Sequence, residues 1–178
     1  MNPYRPDPAV LALISQLKGP ETVARKALHA LAKKATIKDL DLIIRELPLI
    51  LQPGFRSEVI DFLSSIRSAE APAIFAGSLT DPDLVSVRSE LTRACWESQL
   101  DFSPHLMLFC HLLITGDYTL AVEAFSVIEN TYLEYPVGEN LTREIFDLLT
   151  NSLPDQPDTK QRLLREMIRV IEPFATRG

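Results

Sequence analysis

The sequence predicts an all-α protein, a right-handed α–α superhelix (α-solenoid) of about five antiparallel helix pairs spanning residues 1–178 as one domain. Three observations predict it. Glycine occurs only six times, and nearly every Gly and Pro falls between periodic segments rather than inside them. β-branched residues nowhere alternate with polar ones over a long window, so strands find no support. Apolar residues recur at helical spacing in every second segment, separated by roughly the length of one helix pair.

The elements follow in order. The first predicted helix, 8–17, opens at Asp7-Pro8, a side-chain acceptor followed by a proline whose missing N–H does no harm in the first turn. The same signature at Asp81-Pro82 and Ser103-Pro104 opens helices 82–98 and 104–115. Periodicity between Gly and Pro breaks defines 21–35, 39–51, 55–69 and 71–79, then 118–134, 139–153 and 158–172. Connections are short, which makes successive helices antiparallel neighbours. The second helix of each pair carries apolar residues at offsets 0, +4 and +7: Ala24/Leu28/Leu31, Val59/Leu63/Ile66, Val87/Leu91/Ala94, Ala121/Phe125/Ile128 and Leu164/Ile168/Ile171. These positions fall within about 60° of one another, a single stripe for burial. The stripes start 35, 28, 34 and 43 residues apart. The first helices are more apolar all round than the second, notably Leu106-Met107-Leu108-Phe109-Cys110.

Composition narrows the function. Hydrophobic residues make up 46% of the 178 and charged ones 24%, enough for a sizeable core and too apolar for a disordered chain. The net charge of −6 weighs against nucleic acid, which is held by clustered Lys and Arg. Charge is uneven, with nine basic and six acidic groups in 1–60 and an acidic excess afterwards. That dipole would orient an acidic partner segment against the N-terminal helices. The apolar stretch Ala9 to Ile14 is too short for a signal-peptide core, and Leu106 to Ile114 is too short for a membrane span. A cytoplasmic protein is therefore expected, in which Asn140-Leu141-Thr142 is no glycosylation site.

No motif for catalysis, metal binding or a cofactor emerges. There is no G-x-S-x-G elbow, phosphate-cradling Gly-rich loop or H-E-x-x-H. His105 and His111 are six apart, about 240° around one helix, and cannot share an ion from it. Cys95 and Cys110 lie in apolar helical surroundings, where an inert buried thiol is expected. Glu144 and Asp147 share a helix face and read as a solvated flank. The expectation is a non-enzymatic protein with no catalytic residue, no metal and no cofactor.

The segment from Ile74 to Arg88, IFAGSLTDPDLVSVR, resembles a HEAT repeat: an apolar first helix, an Asp-containing turn, and a Val-Arg pair opening the second helix. Leu42 to Leu51 resembles a first helix of that family, including the internal Pro48 that bends it, and Ala24-Arg25 with Leu28 and Leu31 resembles a second helix. Gly116-Asp117-Tyr118 with Ala121 and Phe125 is similar to half of a tetratricopeptide repeat, although Ile128 and Phe109 depart from that pattern. The resemblance implies an armadillo-type fold and a scaffold that binds proteins. It also implies that Arg88 bonds to a turn aspartate, Asp81 or Asp83.

In a solenoid, the faces of the second helices opposite their buried stripes line the concave side. Helical offsets place Lys26, His29 and Lys33 there, then Asp61, Ser64, Ser65 and Ser68, then Val85, Ser89 and Trp96. Glu123, Val127 and Asn130 follow, and finally Arg162, Glu166 and Arg169. The residues expected to contact a partner protein or peptide are Lys26, His29, Lys33, Ser89, Trp96, Glu123, Arg162 and Arg169. Trp96 is either an anchor on this wall or packing under Leu100 and Phe102. Arg162, Arg165 and Arg169 suggest a solvated terminal helix and hence a monomer or weak homodimer. The alternative is a HEAT-like nucleic-acid-binding protein or DNA glycosylase-like enzyme using Lys26, Lys33, Arg162, Arg169 and Trp96.

Overall fold

Side-chain caps set where several helices begin. The Asp7 carboxylate accepts the N–H of Ala9 at 2.8 Å, Asp81 that of Asp83 at 2.9 Å, and Asp117 that of Leu120 at 2.8 Å. The computed structural model describes residues 4–175, and every regular element among them is helical. In chain order these are α1 (Pro8–Gln16), α2 (Glu21–Lys34), α3 (Leu40–Glu46), α4 (Pro53–Ser64) and α5 (Ala71–Thr80). They continue as α6 (Arg88–Ser98), α7 (Leu106–Thr115), α8 (Tyr118–Glu134), α9 (Glu139–Ser152) and α10 (Asp158–Ala175).

Five expected helices differ by two residues or more at one end. In 104–115 the Ser103 side chain caps nothing among the described residues: Asp101 accepts the Ser103 N–H at 2.8 Å, Ser103–His105 winds as 3₁₀, and α7 starts at Leu106. The other four have local reasons of their own. In place of 39–51, α3 lies between 3₁₀ turns at Ile37–Asp39 and Leu47–Leu49. Thr36 and Asp39 cap the first turn, the Thr36 N–H and hydroxyl donating to one Asp39 oxygen at 2.8 and 2.9 Å. Pro48 cannot donate, so the chain tightens there. In 82–98 the segment Pro82–Val87 winds as 3₁₀ and only Arg88 onward is α-helical. Where 55–69 was expected, α4 starts at Pro53 and stops at Ser64. The Ser64 and Ser65 hydroxyls bond back to the carbonyls of Ile60 at 3.0 Å and Phe62 at 2.6 Å, and Arg67 Nη1 donates to the Ser64 carbonyl at 2.7 Å. The last helix runs past residue 172 through Pro173, where the Phe174 ring meets Tyr132 with 5.3 Å between centroids.

The chain divides into two compact units, Met1–Ser98 and Gln99–Gly178. In the first, α1 packs on α2 and α3, α3 on α5, α2 on α4, α4 on α6, and α5 on α6. Odd-numbered helices thus neighbour one another, and so do even-numbered ones. Ala24, Leu28 and Leu31 are buried as their spacing requires, as are Val59, Leu63, Val87, Leu91 and Ala94, while Ile66 is half-buried. Ion pairs cross from one helix pair to the next: Lys18–Glu46 at 3.1 Å, Arg25–Glu58 at 2.7 Å, Arg45–Asp81 at 2.9 Å, Arg56–Glu90 at 2.9 Å and Arg93–Asp61 at 3.2 Å. Every one of them joins residues about one helix pair apart in sequence, from 28 to 36 positions.

In the second unit α7 packs on α8 and α9, and α10 packs on α8, α9 and α7. Ala121, Ile128, Leu164 and Ile171 are buried, and Phe125 and Ile168 half-buried. The Phe102 ring meets Phe109 edge-on at 5.4 Å. Lys160, in the first turn of α10, is buried, and its ammonium donates to the carbonyls of Ile114 and of Gly116, the latter at 2.8 Å. It caps the end of α7, a favourable place for a cation.

Candidate functional site

Five of the eight expected contact residues lie in the first unit and three in the second. On α2, Lys26, His29 and Lys33 are all exposed, roughly opposite the buried stripe. On α6, Ser89 and Trp96 are half-buried. In the second unit Glu123 is half-buried on α8, and Arg162 and Arg169 are exposed on α10, with Arg169 paired to Glu166 at 2.7 Å. Two further groove expectations fail: Ser64 is buried with its hydroxyl on backbone carbonyls, and Val127 is buried in the core of the second unit. Asp61 is exposed but pairs with Arg93.

The electrostatics separate α2 from its neighbours. Arg56–Glu90 and Arg93–Asp61 pair α4 with α6, Arg93 also meets Glu97, and Arg25 of α2 is shared between Glu21 and Glu58, both at 2.7 Å; of the charges on α4 and α6 only Arg88 enters no ion pair among the described residues. Lys26 and Lys33 enter no ion pair among the described residues. Their face is a net cationic strip beside neutralised ground.

Arg88 does not bond to either turn aspartate. Asp81 instead receives Arg45, from α3, on one oxygen and the Asp83 N–H on the other, and these hydrogen bonds, the backbone one first, hold its carboxyl below the usual aspartate range. The 3₁₀ winding of Pro82–Val87 is the cause. It turns about 120° per residue rather than 100°, so Arg88 emerges well away from the azimuth a continuous α-helix would give it.

Sequence reasoning missed a cleft of about 380 Å³ in the first unit, between the α2–α3 connection and the end of α4. Buried Leu31, Leu40 and Ile43 form its floor, half-buried Phe62 and Ile66 its side, and Arg67 supplies its charge. In the α2–α3 connection Asp39 is buried, with the Tyr4 hydroxyl donating to it at 2.5 Å. Three separate chain segments build the cleft, so no local pattern announces it. The one legible signal was Thr36-x-x-Asp39, a helix-start signature.

The reactive side chains are in poor settings for covalent chemistry. Burial pushes the Cys95 thiol well above its ordinary range and the Cys110 thiol up to about 12, so neither supplies a thiolate at neutral pH. Burial pulls the His105 imidazole down, more than Asp101 pulls it up. Among the described residues no three His, Cys, Asp or Glu side chains converge on a point where a metal could sit. None of the described helices is long and apolar enough to cross a membrane. No protein-family model, curated protein or solved structure matches this chain.

Proposed function

We propose that this chain is a non-enzymatic protein-binding module, a short α-solenoid of HEAT-like helix pairs that receives an acidic segment of a partner protein along the exposed face of α2. The observation that carries the reading is the unpaired cationic strip of Lys26 and Lys33 beside α4, whose three charged side chains are matched by Arg25 of α2 and by Glu90 and Arg93 of α6. Neighbouring even-numbered helices and cross-pair salt bridges spaced by 28 to 36 residues support the repeat reading. His29 lies between the two lysines on the same face and offers a further donor, and half-buried Trp96 on α6 offers apolar area. Such a strip steers association electrostatically, so binding should weaken as salt rises.

Affinity capture from native extract tests this, with the Lys26→Glu/Lys33→Glu double variant alongside. Both positions are exposed, so the variant keeps its helical circular dichroism. The proposal expects a stoichiometric protein partner that the native chain retains and the variant loses. Retention of the same partner by both, or capture of nucleic acid in place of protein, contradicts it.

A further inference from the structure

We propose that the cleft between the α2–α3 connection and the end of α4 is a binding site for a small apolar carboxylic acid, with Arg67 as its anchor; this stands independently of the protein-binding reading. Its volume of about 380 Å³ lies within the range of small-molecule sites, roughly 300–1,000 Å³. The floor is apolar, built from buried Leu31, Leu40 and Ile43. Phe62 and Ile66 remain half-exposed at its side, so an apolar ligand body would remove their surface from water.

Arg67 is the sole charged side chain among those lining the cleft. Its Nη1 donates to the carbonyls of Ser64 at 2.7 Å and Ile66 at 3.0 Å, which fixes the guanidinium against the end of α4. Its Nε and Nη2 hydrogens bond to no described residue. That edge is the paired-donor fork a carboxylate accepts in bidentate fashion. No acid lines the cleft to compete for it. One guanidinium balances one carboxylate, whereas a doubly charged phosphate would bring an unmatched charge against an apolar wall.

Calorimetric titration of the full chain with octanoate, octanol and octylammonium tests the site. Octanoate should bind saturably with one molecule per chain, octanol about tenfold more weakly or worse, and octylammonium not at all. Arg67→Gln should lower octanoate affinity about tenfold or more and leave octanol unchanged, with helicity intact. Ala32→Trp, at an exposed lining position, should block both without touching the charge. Absence of saturable octanoate binding, equal binding of all three probes, or full octanoate affinity in either variant overturns the proposal. So does much tighter binding of a peptide ending in a leucine carboxylate, which would assign the cleft to a chain terminus.

Discussion

Asp39 is a buried carboxylate that stays charged because its oxygens are occupied. Burial alone would raise its pKa; hydrogen bonds from the Tyr4 hydroxyl, the Thr36 N–H and the Thr36 hydroxyl outweigh that and hold it below the ordinary 3.8. The unfolded chain therefore takes up this proton at higher pH than the folded one. The stabilisation is fully present above 3.8 and is lost as pH falls through the folded value. Asp39→Asn should cost about 1–3 kcal/mol at neutral pH and flatten the acid limb of a urea-midpoint profile below about pH 4. An unchanged acid limb would contradict this. Gly116 makes a second, steric demand. A Cβ there would sit 2.6 Å from the Leu112 carbonyl oxygen and 2.9 Å from the Leu120 side chain. The oxygen is helix backbone and cannot move aside cheaply, so Gly116→Ala should cost about 2 kcal/mol by urea denaturation, and a midpoint equal to that of the native chain would contradict it. Gly116 was legible as a break between helices, and Asp39 only as the first residue of an expected helix. Their energetic roles were not, because Tyr4 is 35 positions from Asp39 and the Leu112 oxygen depends on how α7 ends.

At the scale of elements, Lys160 ties the start of α10 to the end of α7 over 44 to 46 residues of sequence. Burial lowers its pKa, against the pull of Asp117, yet its donors reach two carbonyls that α7 cannot satisfy itself. Lys160→Met keeps the aliphatic stem and removes the donor, so it should destabilise by about 1–3 kcal/mol in denaturant titrations. A loss below a few tenths would show the carbonyls to be served otherwise. In the sequence Lys160 reads as one more solvated charge, since amphipathic spacing says which side is buried but not which polar residue reaches across. The first helix was legible where a cap and a proline coincided with a periodic segment, at Asp7-Pro8; the same signature at Ser103-Pro104 led only into a 3₁₀ turn. Where 3₁₀ winding replaced α, as at Pro82–Val87, the azimuth of every later residue moved, and the Asp81 partner changed from Arg88 to Arg45.

At the scale of the whole molecule, the all-helical class followed from Gly and Pro placement, because a chain that confines its helix breakers to connections leaves little else to form. The exposed side chains of α2 followed from its stripe as well, since Ala24, Leu28 and Leu31 define the opposite face by subtraction. Ser64 and Val127 departed from the same rule, because helix ends and crowded helix neighbours bury positions that an isolated cylinder leaves open. The cleft beside Arg67 is legible only in three dimensions. In the proposed function, Lys26 and Lys33 meet the carboxylates of a partner protein. Zero-length carbodiimide cross-linking of the captured complex, mapped by mass spectrometry, reads that contact directly. Amide links from Lys26 or Lys33 to aspartate or glutamate of the partner are expected. Links only from lysines off this face, such as Lys18 or Lys38, would contradict the proposed function.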